Sequence, residues 1–178
     1  VDQKSAFDVI EWEYLIRSLK YFDVGETFME WIRILYKPGK VKSSLSVNEY
    51  LSKFFPVNRG LRQGCPLSPI LYILVAEVFA NFIRNDPEIH GIDLVGKTIK
   101  INHYADDVTF FLKDFNSMEK VFSEFKTYKL ASGAILNFEK TQILTLGNWD
   151  TFPKKLSPTL FKDNLKIYGV NFTSKGFC

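Results

Sequence analysis

Cysteine, histidine and methionine are nearly missing, with two of each in 178 residues. Cys65 and Cys178 stand far apart without a CxxC spacing, so neither a disulfide framework nor a zinc centre is indicated. A reducing, intracellular setting is the default. His90 and His103 are too few for a histidine-rich metal site. Long apolar runs are missing as well. The longest, residues 70–76, ends at Glu77, far short of the ~20 residues of a membrane span, and no signal peptide is expected. No membrane partner is expected. Charge of one sign does not dominate either: a net +3 permits an anionic partner without arguing for one. What the chain does have is aromatic mass, seventeen Phe, eight Tyr and three Trp, most of it expected in a core. A composition of 46% hydrophobic and 24% charged residues belongs to a folded chain, and the length suits one domain. The chain opens on Val1, without Met and directly inside what reads as a strand, so a piece of a longer protein is expected.

The elements follow from periodicity. Residues 1–7 read as a strand, then Asp8 and Glu11 resemble a capping box ahead of a helix with Val9, Trp12, Ile16 and Leu19 on one face. Phe28, Trp31, Ile32, Leu35 and Tyr36 mark a second amphipathic helix, ended by Pro38-Gly39. Strands are expected around residues 41–47 and 51–57, with Asn48-Glu49 near the turn. Lys37, Lys40 and Lys42 there read as a solvated face before a phosphate contact. A third helix, apolar on most sides through Ile70, Leu71, Leu74, Val75, Val78, Phe79 and Phe82, is predicted at the centre of the core, and Asn85-Asp86-Pro87 stops it. A fourth is predicted from a capping box at Asn116 and Glu119 to Gly133. Extended pieces at 135–138 and 141–146 and a last strand or hairpin through Tyr168-Gly169 complete the chain.

Three places carry chemistry. Tyr-Ala-Asp-Asp at residues 104–107 lies between β-branched and aromatic flanks, which predicts a hairpin with Ala105, Asp106 and Asp107 at its tip. Adjacent carboxylates repel unless a cation sits between them, and Mg²⁺ prefers oxygen ligands; Asp is also an ordinary turn residue. Asp2 has no local explanation, and a carboxylate in a strand needs a partner, whereas Asp8 is accounted for as a helix cap. Residues 58–69 hold two Gly and two Pro, which specify a shaped loop. Its Arg59, Arg62 and Gln63 suit phosphate or base recognition, and Gly64 would let a substrate approach the backbone. An ordinary loop into the next helix fits the same residues.

Together these blocks resemble the palm of a reverse transcriptase of retrotransposons lacking long terminal repeats. Asp-Gln-Lys-Ser-Ala-Phe-Asp at 2–8 is similar to the first palm motif, and Arg-Gly-Leu-Arg-Gln-Gly-Cys-Pro-Leu-Ser-Pro at 59–69 to the second. Residues 104–107 match the catalytic box, 131–141 the fourth motif and 167–169, more weakly, the primer grip. All five stand in family order over nearly the whole chain. The resemblance implies an α+β fold, an antiparallel sheet with helices packed on one face and the 1–7 strand beside the 99–112 hairpin. It implies that residues 1–178 are a partial palm, with fingers upstream and thumb downstream absent. The implied activity is RNA-directed DNA synthesis from deoxynucleoside triphosphates on an RNA template and DNA primer, with two Mg²⁺ ions, or Mn²⁺, in the nucleus or cytoplasm. Asp2 and Asp106 would be the principal metal ligands, with Asp107 auxiliary and the Gln3 carbonyl assisting. Phe7 would exclude a ribose 2′-hydroxyl, Gln63 and Gly64 would contact the nucleotide, Lys140 would lie near its triphosphate, and Tyr168-Gly169 would hold the primer. The chemistry agrees, since two metals roughly 4 Å apart can activate a hydroxyl and stabilise a leaving pyrophosphate. Two other classes stay open: a decayed copy that only folds or binds nucleic acid, and a metal-dependent phosphohydrolase. The 59–69 loop argues against the second, because hydrolysis needs no template-facing loop.

Overall fold

The computed structural model describes residues 1–104, 106–147, 160–167, 169–173 and 176–177. In chain order it contains β1 (Asp2–Lys4), α1 (Trp12–Tyr21), α2 (Glu26–Leu35), β2 (Lys42–Ser43), β3 (Ser46–Val47), β4 (Tyr50–Leu51) and β5 (Phe55–Pro56). Then follow α3 (Ser68–Asn85), β6 (Ile92–Leu94), β7 (Lys97–Ile99), β8 (Ile101–Tyr104), β9 (Asp107–Phe110), α4 (Phe115–Ser132), β10 (Ile135–Asn137), β11 (Asn164–Ile167), β12 (Val170–Thr173) and β13 (Gly176–Phe177). This is an α+β fold with small antiparallel sheets. No helix among the described residues is long and apolar enough to cross a membrane. The chain divides into two compact units: Ser5–Phe82 with Lys126–Ile135, and Val1–Lys4 with Ile83–Phe125 and Leu136–Cys178.

The helical unit is built on one apolar cluster. Trp12, Leu15 and Leu19 of α1, Met29 and Ile32 of α2, and Leu71, Tyr72, Val75 and Ala76 of α3 are buried together with Ile10, Tyr36 and Leu61. Phe79 stacks on Tyr128 of α4, and Tyr14 meets the same ring edge-on, geometries that aromatic quadrupoles favour. Periodicity located these helices but not every buried face. In α2 the buried residues are Met29 and Ile32, while Trp31 is 64% exposed. In α3 the face of Leu71, Tyr72, Val75, Ala76, Phe79 and Ala80 is buried, and Ile70, Ile73 and Phe82 are exposed, so the expected all-round burial is corrected. The 42–56 segment is a two-step hairpin with β2 on β5 and β3 on β4. Asn48 and Glu49, both at positive φ, make its two-residue turn, the hand that matches strand twist.

The sheet unit carries three further hairpins. β6 and β7 turn through Val95-Gly96, both at positive φ. β8 and β9 pair from Ile101↔Phe110 to Tyr104↔Asp107, which leaves Asp106 at the tip. β11 and β12 pair up to Ile167↔Val170, closing the expected turn. Within the extended piece expected at 141–146, Ile143 makes a parallel bridge with Phe161. The cap of α4 is also not where the pattern put it: Asp114, not Asn116, accepts the Ser117 N–H at 2.7 Å. Its other oxygen takes His90 Nδ1 at 3.0 Å. Lys120 on the same helix binds Glu88 at 2.6 Å and Glu124 at 3.1 Å.

Burial, not periodicity, should therefore rank substitutions in α2. Met29→Ala is expected to destabilise residues 1–178 by about 2–5 kcal/mol. Trp31→Ser should change stability by less than about 0.5 kcal/mol. Urea unfolding of both variants checks this ordering; equal losses would contradict the packing described.

Candidate active site

Asp2 is placed by the backbone. The Val1 nitrogen donates to Val108 O at 2.7 Å and the Val108 N–H returns a bond to Val1 O at 3.3 Å. An exchanged pair of this kind is antiparallel, so the next residues, Asp2 on β1 and Asp107 on β9, stand opposite each other. Like charges directly opposite destabilise a strand pair, a strain that a cation would relieve. Asp106 is exposed at the hairpin tip one residue before Asp107.

The donor set, carboxylate oxygens on adjacent strands, suits a hard divalent cation. No three His, Cys, Asp or Glu side chains among the described residues are gathered closely enough to hold an ion. The structure brings Asp2 to Asp107; it does not assemble all three carboxylates. Gln3, next along β1, is 7% exposed, and its side-chain oxygen has no hydrogen-bond partner among the described residues. Lys140 is exposed in the turn after β10, and Gly169, at φ +87, lies in the β11–β12 turn. Tyr168 lies outside the described residues.

The second set of expected residues is organised within the helical unit. The 59–63 segment is lashed to residues 7–12: Gly60 N–H to Ile10 O at 2.8 Å, Leu61 N–H to Phe7 O at 2.7 Å, and the Trp12 indole to Gly60 O at 2.8 Å. A Cβ on Gly60 would lie 2.7 Å from Asp8 O, and φ is +89, so only glycine allows this approach. Phe7 is held with its ring stacked on buried Tyr72 at 4.6 Å between centroids. Gln63 is exposed and donates to Asp8 Oδ1 at 2.9 Å. That contact corrects the expected role of Asp8. Helix α1 begins four residues later, with Glu11 at its N-cap and no side-chain cap bond. Gly64, at φ +80, has open space where a side chain would stand. Cys65, at the entrance to α3, has its thiol pKa lowered, chiefly by the Leu67 N–H, with partial burial opposing.

One residue of this site had no role assigned from the sequence. Asn137 of β10, 7% exposed, donates its amide to Asp2 Oδ2 at 3.0 Å. The only sequence signal was its place within the 131–141 block.

The family model described as reverse transcriptase (RNA-dependent DNA polymerase) matches residues 1–172. Over 83% of its length the chain is 31% identical to the transposon TX1 uncharacterized 149 kDa protein of Xenopus laevis. Over 99% it is 25% identical to the retrovirus-related Pol polyprotein from type-2 retrotransposable element R2DM of Drosophila melanogaster. The chain spans only 11% and 17% of the lengths of these relatives. The family generally uses divalent metal ions and works on a nucleic-acid template and primer with nucleotides. With a family match over nearly its whole length, the chain belongs to the reverse transcriptase family.

Proposed function

We propose that the protein containing these residues is an RNA-directed DNA polymerase, in which residues 1–178 form part of the palm. The single observation that carries the reading is the carboxylate pair Asp2 and Asp107, opposite each other beside the tip that bears Asp106. In this reading the primer 3′-hydroxyl attacks the α-phosphorus of a deoxynucleoside triphosphate paired with an RNA template. A new P–O bond forms, the bond to pyrophosphate breaks with its electron pair leaving on the pyrophosphate oxygen, and the hydroxyl proton passes to solvent water. Two Mg²⁺ ions, or Mn²⁺, bound by Asp2, Asp106, Asp107 and the Gln3 carbonyl, would supply the Lewis acidity for both oxygens.

The chain's own side chains do the rest. Phe7, braced on Tyr72, presents a flat ring to the sugar. Gln63, steadied by Asp8, reaches the incoming nucleotide past Gly64, where no side chain intervenes. The Lys140 ammonium suits the triphosphate, and Tyr168 and Gly169 are assigned to the primer strand.

In the full-length protein, Asp106→Asn should bring deoxynucleotide incorporation on an RNA template to background. Its melting temperature should hold or rise slightly, because one repelling charge is gone. Synthesis at near-parental rate would overturn the proposal. Phe7→Ala should raise ribonucleotide relative to deoxyribonucleotide incorporation by roughly 10- to 100-fold, the scale on which a pocket discriminates by shape. Single-nucleotide kinetics with both substrates measures it, and an unchanged ratio with activity retained would reduce Phe7 to packing.

A further inference from the structure

Asn137 is buried in an unusual way. Its amide nitrogen is committed to Asp2 Oδ2 at 3.0 Å, 135 residues away in sequence. Its side-chain oxygen is buried with no hydrogen-bond partner among the described residues. An orphaned buried acceptor opposes folding and calls for an explanation. An apolar side chain of the same size would avoid that penalty, so the amide is not there for packing alone. Its main chain is equally constrained. Asn137 O accepts both the Thr141 N–H at 2.9 Å and the Thr141 hydroxyl at 2.7 Å, and Thr141 is buried. That closure spans the turn bearing Lys140. β10 also pairs with β1, the strand that carries Asp2.

We infer that Asn137 is a positioning residue for Asp2: its buried amide holds one carboxylate oxygen, so that the other is presented to a divalent cation. This rests on the polymerase reading above. A carboxylate able to rotate would lose part of its affinity for the ion, as when an outer partner of any metal ligand is removed. The amide is suited to the task because it donates without adding charge beside Asp2, where a Lys or Arg would compete with the cation itself.

The test uses the full-length protein with Asn137→Leu, an apolar replacement of similar size, and Asp2→Asn. Mn²⁺ binding is read by electron paramagnetic resonance, alongside melting temperature without metal and the Mg²⁺ concentration giving half-maximal synthesis. Asn137→Leu should weaken Mn²⁺ binding about tenfold or more and raise the Mg²⁺ requirement by a similar factor, with the melting temperature held or raised. A lowered melting temperature with unchanged Mn²⁺ binding would make Asn137 merely structural and overturn the inference. Should the leucine variant not fold, Asn137→Ser, whose hydroxyl is too short to reach Asp2, is read by the same Mn²⁺ titration against the same outcomes. Asp2→Asn separates the two levels. If it still polymerises, the polymerase reading fails; if it does not, while Asn137→Leu binds Mn²⁺ like the parent, only the positioning role fails.

Discussion

The exchange of backbone hydrogen bonds between Val1 and Val108 is the constraint on which the chemistry of the sheet unit depends. Left to themselves, carboxylates separate; here a strand pair brings Asp2 and Asp107 to facing positions regardless of their charge. β1 is only three residues long, so it has little ladder with which to resist slippage. A one-residue slip would turn Asp2 to the opposite face. The register is held from two sides, by Val108 of β9 and by β10, whose Asn137 grips the Asp2 side chain. Backbone geometry sets where the charge stands, and side-chain bonding sets which way it points.

The helical unit solves a different problem, that of fixing a loop. Residues 59–64 have no regular structure that would satisfy their backbone, so the neighbouring 7–12 segment does it through Ile10, Phe7 and the Trp12 indole. Gly60 is required at the point of closest approach to Asp8, and Gly64 where the chain needs positive φ beside open space. The core beneath, from α1, α2 and α3, is apolar and buried. It gives the loop a rigid base without contributing chemistry, the usual division between a scaffold and the loops that act on substrate.

Much of this was legible in the order of residues. The β8–β9 hairpin, the turn at Asn48-Glu49, the stop at Asn85-Asp86-Pro87 and the glycine end of α4 all follow from rules acting over a few residues. Signals that break those rules were not legible. Val95-Gly96 closes a hairpin although a β-branched residue at positive φ is unfavourable, and nothing in Leu94-Val95-Gly96-Lys97 marks it as clearly as Asn-Gly would. Asp8 and Asn116 each had a correct capping spacing. The bonds went elsewhere, because a helix begins where its first turn can pack as well as where it can be capped.

By itself the sequence determined the identity and order of the motifs, the α+β class and the carriers of charge, since these depend on residue type and on spacing along the chain. Only the tertiary structure decided what those residues meet. Whether Trp31 is covered depends on which element lies over α2, and periodicity reports apolar character without reporting neighbours. The partner of Gln63 is 55 residues away and that of Asp2 is 135 residues away. No local pattern encodes such pairings. They exist because the folded backbone closes long loops and brings a donor within reach of an acceptor that water would otherwise have served.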